Sequence, residues 1–285
     1  MSARVQLVVN PEAGGYSVTR VLDLREAFRR QGARVTLAHI GPGRQLRIED
    51  DADLLVVAGG DGTLRHAAMA LLASGRDLPV ACFPMGTVNL LHLEIGGPTN
   101  PDDFAYAALN QVKPQLHVPA IINGEMFFGC ASVGPDSHAV AGVSLRLKDR
   151  IGRYAYVIAM LQFLSRWKRP QLTIKADGKS YACEAVYIAK GIYYAGPYTF
   201  APEARRTGTK LHVLALKSAT RKDFWRFIRG VMAGRPLEDR ANLIPLTCTE
   251  LEITSEEPWP VQADGDNVGS LPVKISISDK RLKLH

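Results

Sequence analysis

Three glycines and one carboxylate stand together at residues 59–63, in the order Gly-Gly-Asp-Gly-Thr. Glycine has no Cβ, so the backbone N–H groups of such a segment can approach and hold a phosphate, most readily at the start of a helix. A carboxylate at this place, Asp61, repels a phosphate unless a cation or a transferable proton lies between them. The motif therefore predicts a phosphate site in which Asp61 is a magnesium partner or a base. The alternative is a tight turn in which Asp61 is only a helix N-cap.

The residues on either side of this motif predict a strand, a turn and a helix. Residues 54–57 are apolar and partly β-branched, as in a buried strand, and residues 64–72 have helical spacing. Further strands are predicted at residues 5–9, 33–40 and 79–84, and a helix at 18–31. Strands that alternate with helices favour an α/β domain with a parallel sheet, whose strand ends carry the ligand site.

Two more glycine-bearing loops follow predicted strands, at residues 10–15 and 86–89. Loops at the carboxyl ends of parallel strands face one crevice, so we expect the three loops to converge on a nucleotide phosphate. The sequence of these loops matches neither the Walker pattern nor the dinucleotide fingerprint.

The second half of the chain is predicted to be mainly antiparallel β structure. Asn-Gly at residues 123–124 and Asp-Gly at 177–178 predict tight hairpin turns. We therefore expect a nucleotide-binding domain over residues 1–116 and a β-rich domain over 117–269. The segment from about 270 to 285 is expected to pack back on the first domain.

Composition limits the class of partner. The 285 residues carry a formal net charge of +7, which favours anionic partners such as a nucleotide, a phospholipid surface or nucleic acid; the alternative to a membrane role is that the charge serves only solubility. No nucleic-acid motif accompanies this charge, so no nucleic-acid partner is expected. Four scattered cysteines, without Cys-x-x-Cys spacing, are expected to be buried free thiols in a reducing cytoplasm.

Neither a signal peptide nor a membrane-spanning segment is expected. A strand is predicted almost at the first residue, and the longest apolar run, at 154–164, is too short to span a bilayer. A basic stretch at 145–169 with a predicted helix at 151–167 is either an element that lies at an anionic membrane or a core-packed helix with solvated ends. In a second predicted helix, at 221–233, Phe224, Trp225 and Phe227 are expected to be core residues, with lipid contact as the alternative.

The ordered motifs resemble those of the diacylglycerol kinase catalytic-domain superfamily, in particular its bacterial lipid kinases and the related sphingosine and ceramide kinases. The resemblance covers nearly the whole chain. It rests on the motifs Asn-Pro-Glu-Ala-Gly at 10–14, Gly-Gly-Asp-Gly-Thr at 59–63, Pro-Met-Gly-Thr-Val-Asn at 84–89, Asn-Gly at 123–124, Phe-Phe at 127–128, Val-Gly-Pro-Asp at 133–136, Phe-Ala-Pro-Glu-Ala at 200–204 and Ala-Asp-Gly-Asp at 263–266.

This resemblance implies an ATP-dependent lipid kinase that uses Mg²⁺ and has a β-sandwich-like C-terminal domain. It implies ATP in the cleft between the domains, transfer of the γ-phosphoryl group to a lipid hydroxyl, and catalytic carboxylates at Asp61 and Asp266. Asp61 acts through Mg²⁺ or as a base, and Asp136 faces the lipid head. The nucleotide is implied to be held by Asn10, Gly14, Gly59, Gly60, Asp61, Gly62, Thr63, Gly86, Thr87 and Asn89. The expected location is cytoplasmic, with peripheral contact at the inner membrane face, and a homodimer is left open.

Several departures from the family pattern leave the acceptor and the turnover open. Asn89 is followed by Leu90 where many bacterial diacylglycerol kinases have Asp and then Arg. Asp266 stands where bacterial members have a Glu proposed as the general base, which shortens the reach of the carboxylate. Thr207 replaces the Asp of the family's Asp-Gly pair. This change puts in doubt whether the chain has the structural magnesium site of some bacterial relatives. The alternatives are a nucleotide- or lipid-binding relative without turnover and, less favoured by these motifs, a soluble NAD kinase-like enzyme.

Overall fold

The computed structural model describes residues 2–41, 45–110, 113–142, 169–234 and 241–285. The chain divides into two compact units. The first comprises Met1–His117 together with Lys280–His285, and the second comprises Val118–Asp279. The predicted basic stretch at 145–169 lies outside the described residues, apart from Arg169.

The first unit contains one six-stranded sheet in the order β2-β1-β3-β4-β18-β5. All neighbouring pairs are parallel except β18 and β5. The strands are β1 (Arg4–Val9), β2 (Arg34–His39), β3 (Leu54–Gly59), β4 (Pro79–Pro84), β5 (Gln115–His117) and β18 (Leu282–Leu284). Every residue of β3 is buried, as its continuous apolar run predicts.

Helices cover this sheet and share its core. They are α1 (Val18–Arg30), α2 (Asp61–Ala73), α3 (Leu90–Ile95) and α4 (Pro101–Asn110). Helix α1 begins after Ser17, whose hydroxyl accepts the Arg20 N–H at 3.5 Å. Phe104 of α4 contacts the rings of Phe28 and Phe83 edge-on, with ring centroids 6.3 and 5.1 Å apart. These contacts join α1, α4 and β4.

The second unit contains two six-stranded sheets. One has the order β10-β9-β14-β17-β6-β7 and the other β13-β12-β11-β8-β15-β16, and all recorded pairs are antiparallel. The strands are β6 (Ala120–Ile122), β7 (Glu125–Phe127), β8 (Cys130–Val133), β9 (Leu172–Ala176), β10 (Lys179–Cys183), β11 (Ala185–Ala189), β12 (Leu211–Leu216), β13 (Leu243–Cys248), β14 (Glu250–Ser255), β15 (Pro260–Ala263), β16 (Asp266–Ser270) and β17 (Val273–Ile277).

The two sheets share one hydrophobic core, to which Ile174 and Ile253 contribute from one sheet and Val186 and Val261 from the other. Alternate residues of each strand point into this core, as in a β-sandwich. The predicted fold class is therefore confirmed: an α/β unit with a mostly parallel sheet and an antiparallel β-sandwich-like unit. Two helices, α5 (Pro135–Gly142) and α6 (Arg221–Met232), complete the described part of this unit.

Three hairpins of the second unit turn on a left-handed residue followed by glycine. The pairs are Asn123-Gly124 (φ 50° and 84°), Asp177-Gly178 (49° and 73°) and Asp264-Gly265 (49° and 83°). Both positions of a type I′ turn require positive φ, which favours Asn or Asp and then Gly. The hairpins predicted at 123–124 and 177–178 are therefore confirmed.

Two expectations differ from the structure. The segment that joins the first sheet is 280–285, whereas β17 pairs with β14 and β6 and buries Val273 and Ile275 in the second core. The expectation that Trp225 is a core residue was wrong. Phe224 and Phe227 are buried, but Trp225 lies on the other side of α6 and is 46% exposed, because helical spacing separates adjacent residues by about 100°.

Candidate active site

Three loops at the carboxyl ends of β1, β3 and β4 are bonded to one another in the first unit. Asn10 donates its side-chain amide to the hydroxyl of Thr63 at 3.1 Å, which joins the first loop to the start of α2. Met85 donates its N–H to the Gly59 carbonyl and accepts the Gly15 N–H with its own carbonyl, each at 2.9 Å. The convergence expected from the parallel strand order is thus present in the structure.

The second and third loops approach so closely that glycine is required in both. A Cβ built on Gly86 would lie 2.4 Å from the Gly60 Cα, and one built on Gly60 would lie 2.9 Å from the Gly86 Cα. Both distances are too short for real Cβ contacts. The backbones of the two loops therefore pack directly against each other.

Gly14 and Gly59 are constrained in the same way. A Cβ on Gly59 would lie 2.4 Å from the Cβ of Thr63, and one on Gly14 would lie 2.9 Å from the Thr87 hydroxyl oxygen. Gly62 falls in the first turn of α2. A Cβ at Gly14, Gly59, Gly60 or Gly86 would thus lie less than 3.0 Å from a neighbouring atom, so the close packing of the loops depends on glycine at these positions.

Asn89 closes the third loop on itself. Its backbone is left-handed, with φ of 58°, a conformation that Asn tolerates better than most residues. Its side chain accepts the Gly86 N–H at 2.8 Å and donates to the Gly86 carbonyl at 2.9 Å. Asn89 therefore fixes the loop from within, and Thr87 at its tip is exposed.

Asp61 is the first residue of α2, and its carboxylate holds the start of α3. Oδ2 accepts the Leu90 N–H at 2.9 Å and Oδ1 accepts the Leu91 N–H at 3.0 Å. Both bonds satisfy N–H groups that have no partner within their own helix, and the negative charge lies at the positive end of α3. Asp61 therefore caps a helix, although not its own.

Arg20 is a component of this site that the sequence did not reveal. Its guanidinium donates to the Pro84 carbonyl at 3.1 Å and the Gly15 carbonyl at 3.4 Å, and it lies 5.3 Å from the centre of the Phe83 ring. It thereby fixes a positive charge beside the first and third loops. The only available signal was its place in the first turn after a glycine loop.

In the second unit, Asp264 and Asp266 have different environments. The Asp264 carboxylate accepts three backbone N–H groups, from Phe128 at 2.8 Å, Gly129 at 2.9 Å and Cys130 at 3.0 Å. Asp264 therefore fixes the loop before β8. Asp266 begins β16, opposite Ala263, and is half-buried.

Asp136 belongs to a buried polar network beside the start of α5. Its Oδ2 accepts the Tyr194 hydroxyl at 2.7 Å and also the Ser132 hydroxyl, which in turn accepts the Gln262 side-chain amide at 2.7 Å. Burial raises the pKa of the Asp136 carboxyl, an effect that the Ser132 and Tyr194 hydroxyls oppose. Burial, followed by the nearby Asp136, raises the pKa of Tyr194 well above its ordinary value.

Lys190 holds the segment that contains Thr207. Its side chain is fully buried, and its ammonium donates to the Arg205 carbonyl at 3.0 Å and the Arg206 carbonyl at 2.7 Å. The Arg206 carbonyl also accepts the Val118 N–H at 3.1 Å. A buried cation thus contributes to the order of this segment.

No group of three or more His, Cys, Asp or Glu side chains that could hold a metal ion occurs in the described part of the chain. A magnesium ion that travels with a nucleotide is held largely by phosphates and water and needs only one or two protein carboxylates. Asp61, a carboxylate at the start of α2 beside the glycine loops, fits that need.

Two family models match the chain. The diacylglycerol kinase catalytic domain matches residues 4–119, and the YegS C-terminal NAD kinase beta sandwich-like domain matches residues 129–285. The second match alone covers more than half of the 285 residues. The chain therefore belongs to the diacylglycerol kinase catalytic-domain superfamily and carries the C-terminal domain of its YegS members.

Two relatives that cover most or nearly all of the chain are named as lipid kinases. A Pseudomonas aeruginosa protein (strain UCBPP-PA14) named "Probable lipid kinase YegS-like" is 29% identical over 291 residues, which cover 99% of this chain and 94% of that protein. The Bacillus subtilis (strain 168) diacylglycerol kinase is 24% identical over 225 residues, covering 77% and 73%. The chain is thus similar to lipid kinases over both of its units.

A solved structure shares the fold. The crystal structure of a diacylglycerol kinase from Bacillus anthracis str. Sterne superimposes with a TM-score of 0.70 at 19% identity, covering 99% of this chain and 96% of that one.

Among the described residues, no helix has the length and apolar character needed to cross a membrane.

Proposed function

We propose that the protein is an ATP-dependent lipid kinase that transfers the γ-phosphoryl group to the hydroxyl of a diacylglycerol-, sphingosine- or related lipid. The observation that carries this proposal is the direct packing of Gly60 on Gly86, which brings two glycine loops together at the carboxyl ends of β3 and β4, next to the start of α2. Membership of a superfamily named for diacylglycerol kinases supports the class of acceptor.

In this proposal the three glycine loops bind the nucleotide. Gly60, Gly62 and Thr63 offer backbone N–H groups at the start of α2, where the helix dipole favours an anion, and Gly59 ends β3 directly before them. The remaining members of the set, Asn10, Gly14, Gly86, Thr87 and Asn89, shape the two flanking loops. The guanidinium of Arg20 adds a fixed positive charge close to the phosphates.

Mg²⁺, when bound with ATP, would neutralise phosphate charge. Asp61 would hold it, because its carboxylate lies at the start of α2 beside the glycine loops. In the same position, Asp61 keeps α3 attached to the glycine loops. One residue would thus both orient the loop and hold the ion.

Phosphoryl transfer also requires that the acceptor hydroxyl lose a proton. The bond between the γ-phosphorus and the bridging oxygen breaks, a bond from the hydroxyl oxygen to phosphorus forms, and the proton passes to a carboxylate. We assign this base to Asp266, with Asp61 as the alternative. Asp264 is engaged by three N–H groups and is not the base in this proposal.

Asp136 is proposed to bind the lipid head. Its carboxyl is held by Tyr194 and Ser132, and burial favours its protonated form at a higher pH than usual. A hydroxyl-bearing head group could exchange hydrogen bonds with this network. We also propose that the protein is cytoplasmic and meets its acceptor at the inner membrane face.

The direct test incubates the purified chain with γ-labelled ATP, Mg²⁺ and a panel of diacylglycerols, sphingosines and ceramides in mixed micelles. We expect labelled phospholipid from at least one member, and turnover lowered at least about 100-fold in Asp266→Asn and in Asp61→Asn. The matched control is Asp103→Asn, an exposed carboxylate on α4. Full activity in Asp61→Ala, or no product from any lipid, would refute the proposal.

The same assay distinguishes the alternatives. A relative without turnover would bind ATP or lipid by calorimetry and yield no product, an outcome motivated by Leu90 and Thr207 at positions where bacterial diacylglycerol kinases have acidic residues. An NAD kinase-like enzyme would phosphorylate NAD in the absence of lipid.

A further inference from the structure

Helix α6 is firmly anchored in the second unit by one of its faces. Phe224, Phe227 and Val231 are buried, and the Phe227 ring stacks on Tyr187 with centroids 4.3 Å apart. The helix begins with a capping box in which the Thr220 hydroxyl accepts the Asp223 N–H at 3.2 Å and the Asp223 carboxylate accepts the Thr220 N–H at 3.3 Å. Its outer face is therefore held in a fixed orientation.

That outer face combines exposed apolar side chains with positive charge. Trp225 is 46% exposed and Met232 is 56% exposed, and their spacing of seven residues places them on one stripe. Lys222 and Arg229 lie one turn to either side of Trp225 and are exposed. The helix carries four basic residues and a single acidic one, Asp223, which is part of the cap.

A large aromatic ring between basic side chains suits one kind of surface. An anionic bilayer attracts the lysine and arginine charges, while a tryptophan at the headgroup level buries its ring and keeps its N–H near water. In water the same Trp225 and Met232 remain exposed at a cost proportional to their apolar area.

We infer that the outer face of α6, formed by Lys222, Trp225, Arg229 and Met232, docks on an anionic lipid bilayer. The inference rests on the proposed function only in its choice of partner, since a lipid acceptor resides in a bilayer. The net charge of +7 favours the same partner. Each basic residue close to an anionic surface strengthens binding by about fivefold.

The test is sedimentation of the full chain with vesicles, without ATP. The vesicles contain phosphatidylcholine and phosphatidylglycerol in about a 7:3 ratio, and phosphatidylcholine alone is the comparison. We expect binding to the anionic vesicles that weakens as salt rises. The double variant Lys222→Glu/Arg229→Glu should lower the partition coefficient at least about 25-fold, and Trp225→Gln about tenfold.

The control changes the same amount of charge elsewhere in the unit. Lys179→Glu/Lys210→Glu reverses two exposed lysines outside α6 and should leave binding within about twofold of the parent. Equal loss of binding in this control would overturn the inference, because charge alone would then account for the binding. Equal binding to both vesicle types, or no binding to either, would overturn it as well.

Fluorescence tests the position of the ring. The chain has three tryptophans, so the comparison is made in a Trp167→Phe background. Brominated lipids should quench emission of Trp167→Phe more strongly than that of Trp167→Phe/Trp225→Phe, whose remaining Trp259 is buried. Quenching that is equal in the two variants would argue against docking through α6.

Turnover on a short-chain, water-soluble acceptor separates this inference from the proposed function. Lys222→Glu/Arg229→Glu should retain that turnover within about twofold while losing turnover on vesicles. Vesicle binding without turnover on any acceptor would refute the proposed kinase and leave the docking surface standing. Vesicle turnover that is retained in the double variant would count against docking.

Discussion

The carboxylate of Asp61 accepts the backbone N–H of Leu90 at 2.9 Å, and this bond links the glycine turn after β3 to the helix after β4. A second bond, from Leu91 N–H, doubles the link. Whatever chemistry Asp61 performs, its position is therefore determined by α3, and the position of α3 by Asp61.

Replacing Asp61 should have two separable effects. Asp61→Asn keeps one oxygen acceptor but turns an amide towards the second N–H, so the free energy of unfolding should fall by about 1–3 kcal/mol. Turnover measured well below the melting temperature should fall much further than this loss of stability explains. Urea denaturation measures the loss of stability and initial rates measure the loss of turnover, with Asp103→Asn as the control. A loss of activity that vanishes once the protein is fully folded would leave Asp61 with a capping role only.

Gly86→Ala should disrupt the contact between the two loops. The new Cβ would meet the Gly60 Cα at 2.4 Å, so we expect a loss of about 1–3 kcal/mol in stability and weaker nucleotide binding by calorimetry. Gly41→Ala is the matched control, because no atom of the described residues lies within 4 Å of the Cβ it would add. If Gly86→Ala behaves like Gly41→Ala, the close packing of the loops is wrong.

Asp136 should make stability depend on pH. Its folded pKa is raised by burial, so its favourable contribution is complete below the ordinary carboxyl pKa of about 4 and is lost as pH rises through the folded value. Asp136→Asn cannot ionise and still offers an oxygen to Tyr194. The melting temperature of this variant relative to the parent should therefore increase with pH from about 4 upward. A difference that stays constant with pH would contradict the raised pKa.

Lys190→Met should loosen the segment around Thr207. The change removes the buried ammonium that donates to the Arg205 and Arg206 carbonyls, at an expected cost of about 3 kcal/mol in stability. Lys179→Met, at an exposed position on β10, should change stability by less than about 0.5 kcal/mol. Limited proteolysis should cut near residues 200–208 earlier in Lys190→Met. Equal stability and equal cleavage in the two variants would exclude the role of Lys190.

The sequence predicted features that depend on local pattern. Apolar strand runs and alternating helices were enough for the parallel sheet, and Asn-Gly and Asp-Gly pairs were enough for two hairpins, because φ preferences act over two residues. The glycine loops followed from strand direction. The roles of Asp61, Asp136 and Asp266 were implied by the family resemblance and are still proposals.

Features that depend on distant backbone could not be predicted. The partners of Asp264 are N–H groups of residues 128–130, more than one hundred and thirty positions earlier, and any residue except proline supplies the same donor. Leu90 likewise has an apolar side chain and gives no sign that its N–H bonds a carboxylate. The outward position of Trp225 depends on how α6 is rotated about its axis. The sequence did not show which face of α6 is buried, and the structure shows that this face carries Phe224 and Phe227.

Strand β18 has a consequence for biosynthesis. It lies between β4 and β5 in the first sheet. Residues 282–284 can take this place only after the ribosome has made the whole second unit. Until then the edge of β4 has unpaired N–H and C=O groups that can recruit other chains. The first unit therefore cannot complete its sheet before residues 282–284 have been made, and nascent chains that stop short of residue 282 are the species we expect chaperones to retain.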